Sequence, residues 1–363
     1  MSSKLRSLIA LSCLLPVSAM AEVTVYGKIS LSAQQNSTET PKVSSGKVVV
    51  DESSTTTLED NVSRLGFKGS EKLLYLGIEA IYVAEFAVWA DDGSDTAGSS
   101  NAFRQRNIYV GAKGAFGTAI AGNFDTPLKS IQGKVDLFND WRGDINTFIT
   151  VNDYRRKNSV MYTSPKMAGF TGYVDVIMSE VNSEAADAVG EKGKDNAASL
   201  ALAYEMGGLY VAAAYDQDVA VVETASLSDE SQVYRLVAQY TMGPWQFGAL
   251  YDNHDATTNT IATANNVSVR VPVENQGAGW IVSSQYTIDK WVLKAQYGQS
   301  DILRGTELDR DADVLSLGVD YKYSKNGRFY GFYTMESADL TLQPTVVGSQ
   351  DNDFLGLGME LNF

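Results

Sequence analysis

Apolar and polar residues alternate with a period of two through most of the chain after residue 21, and that regularity constrains the fold more than any other feature. In a strand successive side chains point to opposite faces, whereas a helix brings i, i+3 and i+4 together. Val23, Val25, Ile29 and Leu31 share one face of the first segment, and Thr24, Tyr26, Lys28 and Ser30 share the other. At the far end Leu355, Leu357, Met359, Leu361 and Phe363 oppose Gly356, Gly358, Glu360 and Asn362. In between, Trp291, Leu293, Ala295 and Tyr297 oppose Lys294 and Gln296. No long helical stripe appears, and no capping box leads into one. The spacing predicts an all-β chain of sixteen strands, over about 23–35, 61–71, 75–90, 103–113, 117–125, 155–165, 170–179, 197–206, 209–217, 231–242, 245–253, 276–287, 291–300, 312–323, 328–337 and 351–363.

The connections alternate too. Short ones carry Gly or Pro, as in Lys113–Gly117, Pro165–Gly169, Gly207-Gly208, Gly243-Pro244 and Lys325–Gly327. Long polar ones run from Asn36 to Asp60, Asp91 to Ala102, Glu180 to Asn196, His254 to Asn275 and Ala338 to Gln350. Short turns at one end and long loops at the other are the pattern of a transmembrane antiparallel β-barrel. In hydrocarbon every backbone N–H and C=O needs an internal partner, and a closed barrel provides one without leaving an edge. Tyr75, Trp89, Tyr109, Tyr162, Tyr173, Trp245, Tyr251, Trp280, Tyr286, Trp291, Tyr297 and Phe363 lie near strand ends or on apolar faces, where Tyr and Trp suit a membrane boundary. A large secreted sandwich or β-helix with these rings in its core is the other fold the pattern allows.

Residues 1–21 read as a secretory signal peptide: Lys4 and Arg6, an apolar run from Leu8 to Val17, and a small-x-small site at Ala19-Met20-Ala21. Lipoprotein cleavage before Cys13 fits less well, since Ala10-Leu11-Ser12 lacks the Leu that starts that box. Cleavage before Glu22 leaves a single domain, residues 22–363, without cysteine and with formal net charge moved from −15 to −17 by the loss of two cations. That charge disfavours nucleic acid as a partner, because phosphate contacts need clustered Lys and Arg. One His and one Cys in 363 residues disfavour zinc sites, disulfide frameworks and His-based catalysis, and imply no cofactor.

Several words then resemble Gram-negative general-diffusion porins. Val23-Thr24-Val25-Tyr26-Gly27-Lys28 and Ser63-Arg64-Leu65-Gly66-Phe67-Lys68-Gly69 are similar to that family's first two strands. Arg106–Gly111 followed by Phe116-Gly117-Thr118 is similar to its fourth strand and turn. Gly122-Asn123-Phe124-Asp125-Thr126-Pro127 resembles the start of its long third loop, Arg156–Pro165 the strand leaving that loop, and Phe363 its terminal aromatic.

The resemblance implies a sixteen-stranded, water-filled outer-membrane barrel, a homotrimer, passing ions and small hydrophilic solutes passively and performing no enzymatic chemistry. It implies that a third loop, about 126–154, folds into the pore. It assigns a basic wall to Lys28, Arg64, Arg106 and Arg156, facing Asp136, Asp140 and Asp144 on that loop. Phe363 would be the signal read by the barrel-insertion machinery, and membrane lipid and lipopolysaccharide would surround the barrel. The family's Pro-Glu-Phe-Gly loop turn is absent; Phe138-Asn139-Asp140-Trp141-Arg142-Gly143 stands in its place. The residues themselves place Lys28 and Arg64 in the inward phase, where charged groups of a membrane strand belong, but leave the phase at Arg106 and Arg156 ambiguous.

Three other readings bear on function. A hydrolase would need a base, and His254 sits in Tyr251–Ala256, which reads as the start of a long loop. A substrate-specific channel for sugar or anion is the closer alternative, ahead of an enzyme or adhesin; a sugar channel would carry an ordered inward row of aromatics, whereas Tyr26 and Tyr323 stand alone. Asp309-Arg310-Asp311-Ala312-Asp313 begins with calcium-loop spacing, but Val314 occupies the position where the sharp turn needs Gly. Such acidic segments read as solvated faces that could reach lipopolysaccharide phosphates through divalent cations. The negative charge leans towards weak cation preference, against at least four cations expected at the aperture.

Overall fold

A computed structural model describes residues 22–44, 47–73, 77–92, 103–149, 153–178, 196–219, 230–264, 267–304, 308–342 and 345–363. The signal segment 1–21 with Cys13, Tyr75, and most of the connections 91–102 and 180–196 lie outside the described residues. The strands are β1 (Glu22–Ser44), β2 (Lys47–Asp60), β3 (Arg64–Leu73), β4 (Ile78–Val88), β5 (Phe103–Gly114), β6 (Gly117–Asp125), β7 (Arg155–Thr163), β8 (Phe170–Ile177) and β9 (Ala197–Met206). They continue as β10 (Leu209–Gln217), β11 (Glu230–Met242), β12 (Trp245–Ala264), β13 (Val267–Ile288), β14 (Trp291–Arg304), β15 (Leu308–Lys322), β16 (Gly327–Leu342) and β17 (Thr345–Asn362). Every pairing is antiparallel and, apart from β1 with β3, joins sequence neighbours, while β1 also pairs with β17, which closes the barrel.

Seventeen segments make sixteen staves. β2 pairs with β1 from Leu31 to Ser44, and β3 pairs with β1 from Glu22 to Lys28, so the two lie end to end. The break between them, Asn61–Ser63, contains Val62 at φ 55°, a left-handed backbone that a β-branched residue rarely adopts. It is held by polar contacts: Asn61 Nδ2 donates to Ser32 Oγ and to the Tyr330 hydroxyl at 2.8 Å each, and the Ser30 amide donates to Ser63 Oγ at 3.0 Å.

The two faces sort as their residues require. Leu355, Leu357, Met359 and Leu361 point outward and are 43–67 % exposed, as membrane-facing groups are without their lipid, while Ser30, Ser32 and Gln34 are buried inside. Rings gather at the short-turn end, with Trp245 against Tyr286 at 4.6 Å and Trp291 against Tyr321 at 4.8 Å. A second set, including Tyr251 and the Trp280–Tyr297 pair, lies six residues along, about 20 Å at about 3.3 Å per residue. Tyr109 and Tyr173 do not join these rings. Their neighbours Val110 and Val174 hold the outward phase, so Tyr109 packs edge-on against buried Phe124 and Tyr173 packs on the inner core.

Three expected long loops are extended hairpins instead. β1–β2, β12–β13 and β16–β17 stay paired to Ser44/Lys47, Ala264/Val267 and Leu342/Thr345. Once outside hydrocarbon a strand needs no apolar outer face, so Ser/Thr-rich polar sequence continues the ladder. His254 is accordingly not a loop residue; it lies on β12 and is buried. Asp311 and Asp313 likewise sit within the regular strand β15, which removes the calcium-loop geometry.

Candidate functional site

Between β6 and β7 the chain leaves the wall. Thr126 caps a short helix, α1 (Pro127–Ser130), accepting the Lys129 amide at 3.3 Å, with Pro127 at the first helical position where its missing N–H costs nothing. Leu128, Ile131, Val135, Ile145, Phe148 and Ile149 then form one buried cluster with Ala201, Ala203, Ala212, Ala214, Val233 and Ile281 of β9–β13. Alanines on that inner face leave room for the segment. Gly298 does the same: a Cβ there would come within 2.8 Å of the Phe148 ring.

Polar contacts fasten the segment around the wall. The Tyr210 hydroxyl donates to Ile131 O at 2.8 Å, Gln246 Nε2 to Lys134 O at 2.9 Å, and Ser283 Oγ to Val135 O at 2.6 Å. Gln296 Oε1 accepts the Leu137 amide at 2.8 Å. At the returning leg, Arg235 is completely buried between Asp252 (2.8 Å) and Asp153 (3.2 Å), and Lys129 Nζ lies 3.1 Å from Asp153. Burial alone would raise the Asp153 carboxyl, but Lys129 and Arg235 outweigh it and hold the group below its ordinary value.

The three acidic residues of the segment have different surroundings. Asp140 reaches the opposite wall: its Oδ2 is 2.8 Å from Lys28 Nζ and 2.6 Å from Arg64 Nη2. Burial works against that carboxylate, yet the two cations prevail and its pKa is lowered. Asp136 turns back into the segment, accepting the amides of Phe138 and Ile145 at 3.1 Å each and Gln296 Nε2 at 3.1 Å. Its burial pushes the pKa up to about 6 despite those bonds. Asp144 caps the 3-10 turn Ile145–Thr147 and accepts the Asp140 amide at 2.8 Å; burial and the Asp136 charge raise it well above the ordinary value. Asp136 and Asp144 therefore shape the turn that presents Asp140.

Lys28 and Arg64 meet at Asp140, while Arg106 and Arg156 line a neighbouring cavity of about 500 Å³ together with Arg104, Arg155 and Lys157. Arg106 Nε pairs with Glu85 at 2.8 Å, and Tyr26 donates to the same carboxylate at 3.2 Å. Arg156 stands 5.4 Å over the Tyr154 ring. The ambiguity in their phase has a physical cause: the register shifts between Ala84 and Phe86 opposite Arg106's strand, and between Gly122 and Phe124 opposite Arg156's. Phe363 lies at the β1–β17 seam, exchanging backbone hydrogen bonds with Gly27 at 2.9 and 3.1 Å.

Beyond those positions, an alternating series of charges runs round the inner wall. Lys294 pairs with Asp320 (3.0 Å), Asp320 with Arg328 (2.8 Å), Arg328 with Glu360 (2.9 Å), and Glu360 approaches Lys28 (4.0 Å), which pairs with Asp140. Their inward phase was readable from alternation in each strand; their succession across five strands was not. Among the described residues, no group of three or more His, Cys, Asp or Glu is arranged to hold a metal ion.

Comparison with known proteins agrees with this architecture. Residues 7–340 match the family described as Gram-negative porin. The major outer membrane protein P.IB of Neisseria gonorrhoeae is 30% identical over 328 residues, covering 80% of this chain and 89% of the relative. Among solved structures, the anion-selective porin from Comamonas acidovorans superposes with a TM-score of 0.70 at 18% identity, covering 94% of this chain and all of that one. The trimer form of OmpT, an outer membrane protein of Vibrio cholerae, gives 0.64 at 18% identity, covering 94% and 99%. The chain therefore belongs to the Gram-negative porin family and forms a diffusion channel through the outer membrane.

Proposed function

We propose that segment 126–154 is the constriction loop of this channel and that Lys28, Arg64 and Asp140 set the field at its narrowest point. The observation that carries this is Asp140: one carboxylate oxygen is shared by two cations from β1 and β3, although the loop springs from β6 and packs on β9–β13. Opposed charges across a narrow aperture make a transverse field that orients dipolar solutes and disfavours apolar ones. Arg106 and Arg156 extend the basic side through the adjoining cavity. Asp136 and Asp144 serve the loop's conformation. Solutes pass without chemical change and without a cofactor.

The chain assembles as a homotrimer in this reading, a proposal supported by the trimer form of the OmpT neighbour. Residues 1–21 direct export and are removed, leaving residues 22–363 as the barrel. Phe363 supplies the terminal aromatic for the insertion machinery, and the outward apolar band contacts lipid and lipopolysaccharide. Deleting Phe363 should sharply reduce the amount of folded barrel in the outer membrane, and normal assembly would count against that role.

Liposome swelling tests the pore. Entry rates should fall smoothly with the size of uncharged sugars, without saturation. Saturable uptake of one solute class would make this a specific channel instead.

A further inference from the structure

The loop tip lacks the turn the family resemblance led us to expect, and an indole fills the place. Trp141 is buried, with its ring stacked on Tyr330 at 4.4 Å and 19°, and on Phe332 at 5.2 Å and 20°. Phe138 meets it edge-on at 5.9 Å. Two cations complete the enclosure: Lys294 Nζ lies 3.9 Å from the ring centroid and Arg328 Cζ 5.2 Å. These partners come from β14 and β16, whereas Asp140, the preceding residue, reaches β1 and β3. Stacked rings and cations over a desolvated indole face are each favourable, and together they fix a direction as well as a position.

We propose that Trp141 is the positioning residue of the aperture: clasped by Tyr330, Phe332, Lys294 and Arg328, it holds the loop tip so that Asp140 stays on Lys28 and Arg64. This rests on the reading of 126–154 as the constriction loop. The backbone around it is suited to the task. Asp140 has φ 69°, so the chain turns sharply there, and the Trp141 amide donates to Phe138 O at 2.9 Å. One residue therefore faces the cations of β1 and β3 while the next stacks on rings of β16. The clasp also sets the Lys294 ammonium against the indole face, and that side chain is only 4% exposed although it belongs to the inner-wall charge series.

The test compares purified, folded wild type with Trp141→Ala, Trp141→Leu and Trp141→Phe in single-channel recordings. Trp141→Ala should populate a displaced tip about tenfold more, equivalent to about 1.4 kcal/mol. It would be read as a matching rise in open-channel noise and brief current transitions. Trp141→Phe should restore much of the quiet channel, since it keeps a ring face, and Trp141→Leu should not. An independent readout is modification of Lys294 by a water-soluble amine reagent, followed by mass spectrometry. The lysine should be protected in wild type and Trp141→Phe and labelled in Trp141→Ala. A quiet Trp141→Ala channel with Lys294 still protected overturns the clasp.

A separate variant isolates the underlying reading. Asn139 is exposed at the same tip, and residues 22–363 contain no cysteine, so Asn139→Cys can be tagged with a bulky thiol reagent. Tagging should lower the conductance if the loop lines the aperture. No change would reject the aperture reading itself. A fall in conductance beside a quiet Trp141→Ala would reject the clasp alone.

Discussion

Replacing Asp140 by Asn removes one negative charge at the meeting point of Lys28 and Arg64 while keeping the side chain's shape. Both cations then lose their carboxylate partner at 2.8 and 2.6 Å, and the cluster gains one unit of net positive charge. A unit charge about 6 Å from the ion path interacts by about 0.7 kcal/mol in water, and screening over a Debye length of about 8 Å leaves about 0.3 kcal/mol. At about 1.4 kcal/mol per factor of ten, this favours anions and disfavours cations by about 1.6-fold each, so the permeability ratio moves about threefold towards anions. A lower effective dielectric near the wall would enlarge the effect. The assay is the reversal potential of reconstituted channels under a salt gradient, for wild type and Asp140→Asn. The double variant Asp140→Asn/Lys28→Gln should return most of the way. An unchanged reversal potential at low salt would refute the placement of Asp140 at the ion path.

Three further outcomes follow from the same geometry. Burial raises Asp136 from its ordinary 3.8 to about 6, corresponding to about 3 kcal/mol, and raises Asp144 in the same direction. The native loop then holds more protons than the unfolded chain between about pH 4 and 6, so its stability is greater below that window and falls as pH rises through it. Amide protection at Phe138 and Ile145, corrected for intrinsic exchange, should increase from pH 7 to 5 in wild type and increase less in Asp136→Asn, where buried Asp144 alone still titrates. Arg235→Met strands the buried carboxylate Asp252 and leaves Asp153 with Lys129 alone, and should cost about 3–5 kcal/mol, seen as a lower thermal midpoint that Asp252→Asn partly rescues. Gly298→Val drives a side chain towards Phe148 and Ile281; barrel strand content should persist while single-channel conductance changes, and an unaltered conductance would argue against loop packing at this wall.

The barrel was legible because a membrane strand has two unlike solvents. Leu357 and Glu360 cannot exchange faces, so alternation fixes both strand and phase. The phase became unreadable where the ladder itself is irregular, at Arg106 and Arg156, since a bulge adds a residue that periodicity does not register. Polar hairpins read as loops in the sequence because outside hydrocarbon nothing apolar marks the strand. The division of labour among Asp136, Asp140 and Asp144 was hidden for another reason: it depends on which amides a short turn presents, not on residue type. One local signal did exist for the loop's bed. Ala201, Ala203, Ala212 and Ala214 occupy an inward face where a water-filled lumen would call for polar groups, which indicates that chain packs there. Trp141 gave no such signal, for its partners Lys294, Arg328 and Tyr330 lie far along the sequence and meet it only when the barrel closes.

The most direct test of the whole account is the single-channel conductance of the purified, folded protein in planar bilayers under a salt gradient. Large ohmic steps arriving in threes, insensitive to added sugars, are the predicted result. No conductance from a demonstrably folded sample, or small currents blocked by one class of solute, would contradict an open barrel narrowed by a charged loop.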